Sequence, residues 1–207
     1  MEPKPQRLII ASNNEGKIKE IREMLAGVNL LRMKDIGYTE EIAEPFMTFE
    51  ENALAKAGAI YKFSEENVFA DDSGICVNAL GGQPGVDSAH YSGERDDEKN
   101  LQKILTELKG NENRSAYYKA VICLVWKGET YYFEGTCEGW ITEEKRGNGG
   151  FGYDPIFIPN GYDKTFGELD PEVKNAISHR GKAVEKMVAF IKEQLSREQG
   201  NEIFNWG

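Results

Sequence analysis

No stretch of this chain is apolar for the roughly 20 residues that a bilayer-spanning helix needs, so a transmembrane helix is not expected. Residues Met1 to Arg7 are polar and lack the charged-then-apolar order of a signal peptide. Basic residues are in deficit: 25 Lys and Arg stand against 35 Asp and Glu, a net charge of −10. That excludes the broad positive field which nucleic acids and anionic membranes require. A small anionic ligand remains open, provided that local lysines and arginines or a divalent cation offset the overall repulsion. Cysteines are few. Cys76, Cys123 and Cys137 are an odd number without metal-ligand spacing, and free buried thiols in a reducing cytoplasm account for them. Internal repeats, low-complexity tracts and long linkers are absent. What is present is 207 residues, 40% hydrophobic and 11% aromatic, enough for one substantial core arranged in two lobes.

Leu8 to Lys17 carries the strongest local signal. An apolar strand runs into the polar loop Ser12-Asn13-Asn14-Glu15, and a helix follows, with Ile18, Ile21, Met24 and Leu25 on one face. Loop and helix N-terminus together offer backbone N–H groups to an anion. Gly16 allows close approach, and Lys17 adds positive charge. The spacing is not that of a P-loop, and alone the segment reads equally well as an ordinary strand–turn–helix.

Further on, Thr48 and Glu51 fit a capping box for a helix over Phe49–Phe63 that carries Lys56. Val68–Ala70 reads as a short buried strand ending at Asp71-Asp72-Ser73-Gly74, with extended structure resuming at Ile75. Leu80 to Gly93 is a glycine-rich loop. A third helix carries Leu101, Ile104, Leu105 and Leu108, with Gly110 past its end. Ser115–Lys127 and Glu129–Ile141 are rich in β-formers, and Lys127-Gly128 suggests a hairpin. Gly147–Gly152 is loop, and Pro155–Ile158 a short strand. A last long helix begins near Ser178 with Val184, Val188, Ile191 and Leu195 on one face. The tail beyond Ser196 is polar until Ile203-Phe204-Asn205-Trp206. The expected fold is α/β: a mixed, elongated central sheet flanked by helices, in two lobes with a cleft between them.

Three segments carry candidate chemistry. Adjacent aspartates Asp71 and Asp72 at a strand end, with Glu44 as a third carboxylate, suit a hard divalent ion that uses one or two carboxylates plus substrate phosphates. In an extended strand the two aspartates face opposite ways, so one can serve the metal while the other anchors the loop. The plain alternative is a turn, because all four residue types of Asp-Asp-Ser-Gly favour turns. In Phe151-Gly152-Tyr153-Asp154 an aromatic ring between glycines can stack on a nucleobase, and Asp154 can accept from a ring N–H; Tyr153 also reads as a core plug. In Lys174 to Lys182, Ser178 is a candidate N-cap that places His179 and Arg180 in a first helical turn. Cations there oppose the helix dipole, which points to a ligand group that offsets them. His90 reads as a loop residue without a special role.

Together these segments resemble the inosine triphosphate pyrophosphatase family, which hydrolyses non-standard purine nucleoside triphosphates. Ser12-Asn13-Asn14-Glu15-Gly16-Lys17 is similar to its phosphate loop. Phe49-Glu50-Glu51-Asn52-Ala53 through Lys56 and Ala70-Asp71-Asp72-Ser73-Gly74 are similar to its central block, continued by Leu80 to Val86. Gly150 to Phe157 and Lys174 to Lys182 are similar to its base-recognition blocks. The likeness runs from Leu8 to about Leu195, in order, with one departure at His90, where arginine is more usual. It implies one nucleoside triphosphate pyrophosphatase domain over 1–207, with 196–207 outside the match. It further implies cytoplasmic location, a homodimer, and no nucleic-acid or membrane partner.

The resemblance also implies roles. Asp72 would be the general base for water attacking the α-phosphorus. Glu44 and Asp72 would hold Mg²⁺, with Asp71 close by. Ser12, Asn13, Asn14, Glu15, Gly16, Lys17, Lys56 and Ser73 would bind phosphates. Phe151, Gly152, Tyr153, Asp154, Lys174, Ser178, His179 and Arg180 would hold base and ribose. Arg180 has only donors, so it would pair with a purine O6 and leave adenine unmatched. Two further readings stand beside this one: a hydrolase of modified pyrimidine triphosphates, and a nucleotide-binding regulator without turnover.

Overall fold

The computed structural model describes residues 7–204, with side chains through residue 199; Asn205 and Trp206 of the expected apolar tail lie outside the described residues. Six strands form one sheet in the order β2-β1-β3-β4-β5-β6. They are β1 (Arg7–Ile10), β2 (Asn29–Arg32), β3 (Val68–Val77), β4 (Ser115–Trp126), β5 (Glu129–Ile141) and β6 (Phe157–Pro159). The first three are parallel and the last three join antiparallel, so the sheet is mixed. The helices are α1 (Glu15–Met24), α2 (Phe49–Ser64), α3 (Asp97–Glu107), α4 (Pro171–Ile177) and α5 (His179–Phe204).

Local chemistry sets the boundaries. Asn14 caps α1 by accepting from the Lys17 N–H at 3.0 Å. Thr48 caps α2 by accepting from the Glu51 N–H at 3.2 Å, and its hydroxyl donates to the Glu51 carboxylate at 2.8 Å. Lys127 and Gly128, with φ of 51° and 85°, close the β4–β5 hairpin as a twist-matched tight turn requires.

The structure corrects the expected elements at four points. Asp71–Gly74 do not end a strand: β3 runs unbroken through them, because each residue pairs with one on β4, from Asp71 with Ile122 to Gly74 with Lys119. Pro155 lies in a 3₁₀ turn (Asp154–Ile156), and the strand starts only at Phe157. The edge strand β2 and the short helix α4 add to the expected set. Ser178 follows the expectation: it closes α4 and caps α5, its Oγ accepting from the Gly181 N–H at 2.9 Å in the first turn of that helix.

Alternation along β3 sorts the core. Val68 and Ala70 pack with Ala53, Ala57 and Ile60 of α2 on one face. Phe69 packs with Ile18 and Ile21 of α1 and Val184 and Met187 of α5 on the other. Farther along that second face, Ile75 and Val77 join Leu101, Ile104, Tyr118 and Phe157 in a separate cluster. Between these two apolar clusters β3 presents Asp71 and Ser73.

One cross-strand row at this level is small throughout: Ser73 pairs with Ala120, and Ala120 with Gly135. The start of α5 lies on that row, and a Cβ at Gly135 would stand 2.0 Å from the His179 carbonyl oxygen and 2.9 Å from the Ala183 nitrogen. Gly135→Ala is therefore expected to destabilise the protein by about 1–3 kcal/mol, the usual cost of overpacking. A urea titration tests it; an unchanged midpoint would show that α5 does not depend on this close approach.

Candidate active site

Strand β1 pairs with β3 only at Ile9–Val68 and Ile10–Phe69, then leaves the sheet. Next along β3 no described strand covers the edge at Asp71 and Ser73, whereas farther on the Ile75 N–H donates to Ser88 Oγ and the Val77 N–H to the Gln83 carbonyl, each at 3.0 Å. This gap lies at the carboxyl end of β1, where the chain departs to β2 on one side while β3 lies on the other. Open α/β sheets bind ligands in such a crevice. A cavity of about 520 Å³ occupies it. The backbone carbonyl of Asp71 on this bare edge accepts from Lys56 Nζ at 2.8 Å and from Lys17 Nζ at 3.4 Å.

The cavity wall includes Ser12, Asn13, Asn14, Lys17, Glu44, Lys56, Asp72, Ser73, Phe151, Gly152, Tyr153, Asp154, Lys174, His179 and Arg180. Segments far apart in sequence therefore meet around one space. Four expected residues lie off the wall: Glu15 is exposed on α1, Gly16 faces the Phe151 ring, and Asp71 and Ser178 are buried behind the surface. The loop after β1 spends two N–H groups internally, Asn14 N on Ser12 Oγ and Lys17 N on Asn14 Oδ1.

The two aspartates do face opposite ways. Asp71, fully buried on the α1–α5 side, pairs with Lys17 Nζ at 2.8 Å and with Arg180 Nε at 3.3 Å, and accepts from Ser73 Oγ at 3.0 Å. Burial alone would raise its pKa, but Arg180 and Lys17 outweigh it and hold the carboxyl far below the ordinary range. Asp72 faces α2, where Lys56 Nζ lies 3.6 Å from Oδ1 and 2.5 Å from Glu44 Oε1. Burial, with Glu44 and Asp71 as neighbours, prevails over the lysines and pushes Asp72 up to about 6.

Beneath the aromatic end of the cavity runs a chain of buried charges. Glu20 of α1 accepts from Lys174 and, at 2.7 Å, from Arg180 Nη1. Lys174 also donates to Asp154 at 2.6 Å, and Arg180 Nη2 donates to Ser73 Oγ at 2.8 Å. Asp154 accepts in addition from the Phe151 N–H at 3.0 Å and the Tyr118 hydroxyl at 3.2 Å. Although burial opposes it, Arg180 and Lys174 keep the Glu20 carboxyl below its usual pKa. The Phe151 ring stands over the two cations, 5.1 Å from Lys174 Nζ and 5.5 Å from the Arg180 guanidinium carbon. Tyr153 is a core residue whose hydroxyl donates to the Ser88 carbonyl at 2.6 Å.

Glu20, Tyr118 and Arg95 are among the site residues that sequence reasoning missed. A glutamate on an amphipathic helix reads as solvated charge; only its position three residues after Lys17, one turn on along the same face, hinted otherwise. Tyr118 stacks on His179 with centroids 4.5 Å apart and planes within 6°. At the mouth, Arg95 Nε lies 3.5 Å from His90 Nε2, and both line the cavity.

The oxygen donors suit a divalent cation held mainly by substrate. Asp72 Oδ2 is buried without a hydrogen-bond partner, and Glu44 stands across Lys56 from it. Among the described residues no group of three or more His, Cys, Asp or Glu side chains forms a metal cage. Two carboxylates plus phosphate oxygens and water is the arrangement that magnesium-like ions prefer.

Comparison with known proteins agrees in extent. The sequence model of the Ham1 family matches residues 8–190. The chain is 49% identical over 190 residues to a dITP/XTP pyrophosphatase of Bacillus subtilis, spanning 89% of this chain and 96% of that protein. It is 47% identical over 187 residues to one of Flavobacterium johnsoniae, spanning 89% and 97%. Its fold is similar to the solved Ham1 protein of Staphylococcus aureus, with a TM-score of 0.83, 39% identity, and coverage of 91% of this chain and all of that one.

His179 is buried, and its pKa lies well below 6.5, first because of burial and then because Arg180, Lys174 and Lys17 are near; Asp71 pulls the other way. The folded protein therefore keeps this imidazole neutral, while the unfolded chain protonates it below about pH 6.5. Relative to a His179→Gln variant, stability is expected to fall as pH drops from 6.5 to 5, approaching about 1.4 kcal/mol per unit. Urea titrations of both proteins across that range check it; parallel curves would mean that His179 titrates alike folded and unfolded.

Proposed function

This chain is a member of the Ham1 family, and on that premise we propose how its cleft works as a pyrophosphohydrolase of non-standard purine nucleoside triphosphates. The reaction joins dITP, ITP or XTP with water to give the monophosphate and pyrophosphate. The observation that carries the reading is the single cavity in which Lys17, Lys56 and Asp72 meet Phe151, Lys174 and Arg180. Its two ends match the two ends of a nucleotide.

Lys17 and Lys56, with the loop Ser12–Asn14, take the triphosphate. Their positive charge is already matched by Asp71 and Glu44, so lysines alone leave a tetra-anion largely uncompensated. Mg²⁺ held by Glu44 and Asp72 would supply that charge and ease departure of pyrophosphate. Asp72 takes the proton of the attacking water as its oxygen bonds to the α-phosphorus and the bond from that phosphorus to the bridging oxygen breaks. Asp71 serves the site from the other face, holding Lys17 and Arg180.

Base choice follows from donor counts. Lys174 spends two of its three N–H donors on Glu20 and Asp154, and Arg180, facing Glu20, Ser73 and Asp71, keeps one N–H on Nη1. The spare groups are all donors, so they satisfy a purine O6 and leave an adenine amino group unpaired. Phe151 stacks on the ring. The same reading includes a homodimer in the cytoplasm, a single domain over 1–207, and no nucleic-acid or membrane partner. No described helix is long and apolar enough to cross a membrane.

A nucleotide panel with and without Mg²⁺, read by pyrophosphate release, tests the proposal: dITP and XTP should turn over and ATP and modified pyrimidine triphosphates should not. Asp72→Asn is expected to lower kcat by about 10²–10⁴, the usual worth of a general base, with an unchanged circular dichroism spectrum. Near-normal turnover would remove Asp72 from the mechanism. Arg180→Gln should shrink the kcat/KM ratio of dITP over dATP by at least about tenfold; an intact ratio would move base reading elsewhere.

A further inference from the structure

We propose that Gly16 is a positioning residue for the base-stacking ring: its missing side chain is what lets Phe151 lie against the first turn of α1. This rests on the reading of the cleft given above.

Gly16 is the second residue of α1, a place where alanine outranks glycine as a helix former. The backbone does not call for glycine, because Gly16 is not among the glycines with positive φ. Contact with phosphate does not call for it either, because Gly16 is off the cavity wall. The ring does. A Cβ on Gly16 would stand 2.7 Å from Phe151 Cδ1, 2.8 Å from Cγ and 3.0 Å from Cε1.

Phe151 has little freedom to retreat. Its N–H donates to Asp154 at 3.0 Å, and the next N–H, of Gly152, donates to Asp97 at 2.9 Å. Gly150 before it has a φ of +68°, and a Cβ there would stand 2.0 Å from Asp154 Oδ2. The loop is thus tied on both sides of the ring, and the atoms nearest Gly16 include Cγ, the rigid root of the side chain. Lys174 and Arg180 lie 5.1 and 5.5 Å from the ring centroid. The first turn of α1 therefore sets how far the ring stands from the two donors that read the base. The helix that presents Lys17 to the phosphates also sets the stacking height of the purine.

A four-protein cycle tests this: wild type, Gly16→Ala, Phe151→Ala and the double variant. Each is measured for dITP hydrolysis, dIMP affinity by calorimetry, inhibition by inorganic pyrophosphate, and thermal melting. Gly16→Ala is expected to raise KM for dITP and Kd for dIMP about tenfold, the worth of one aromatic–base stack, with kcat and pyrophosphate inhibition little changed. The same change made in the Phe151→Ala background should cost nothing. Should Gly16→Ala fail to fold, the double variant should regain a cooperative melt, because the clash is gone. Unaltered dIMP affinity in Gly16→Ala, an undiminished penalty in the double variant, or weakened pyrophosphate inhibition would each overturn the proposal. A wild type that releases no pyrophosphate from dITP would overturn the functional reading, whereas an active wild type with an additive cycle would overturn this inference alone.

Discussion

Balance of charge in a dry space governs this structure. Lys17, Lys174 and Arg180 are matched by Asp71, Glu20 and Asp154, three charges of each sign, in a belt between two apolar clusters on one face of the sheet. Desolvating any one of them alone costs several kcal/mol, so each is tolerable only because its partners are in place. The partners come from α1, β3, the loop before β6, α4 and α5. Those elements are consequently locked to one another by the same contacts that shape the cavity. Groups held in this way need little reordering when a ligand arrives, and pre-organisation of that kind removes part of the entropic cost of binding.

Strand β3 divides the electrostatic work between its faces. On one, Asp71 is held ionised by Arg180 and Lys17 and acts as a fixed counter-charge. On the other, Asp72 sits near Glu44 and Lys56 with its carboxyl raised toward neutrality. Two adjacent residues of identical chemistry thus acquire opposite tendencies purely from what packs against them. The bare edge between the faces adds a third element, a backbone carbonyl that gathers Lys17 and Lys56. An acidic protein, at −10 overall, in this way gathers Lys17, Lys56, Lys174 and Arg180 around one cavity.

Much of this was legible from residue patterns, and the misses have physical reasons. The strand–loop–helix at Leu8–Met24, the cap at Thr48 and the Lys127-Gly128 hairpin rest on short-range rules, and the structure follows them. Asp71–Gly74 reads as a turn by composition, but the pairing of β3 along β4 overrides local preference. Strand β2 is only half-buried at the sheet edge and α4 is seven residues long, so neither shows a full period. Asp71 and Asp72 were readable as facing apart, since a strand alternates whatever its neighbours. The partners that hold Arg180 and Lys174 in place were not readable, because Glu20 lies 154 residues from Lys174 in the chain. Gly16 reads as room for a ligand until the ring of Phe151 is seen against it.

The alternation of β3 also bears on which length changes the gene can accept. One codon gained or lost between Val68 and Asp71 would rotate every later side chain by half a turn, unless a bulge absorbed it. Asp72 would then meet the guanidinium of α5, and Asp71 the lysine of α2. Composition and hydropathy would hardly change, yet the carboxylate that pairs with Arg180 and the one that faces Lys56 would have traded places. In this segment an indel is a chemical mutation, whereas in the long surface turns elsewhere it is mostly a matter of slack.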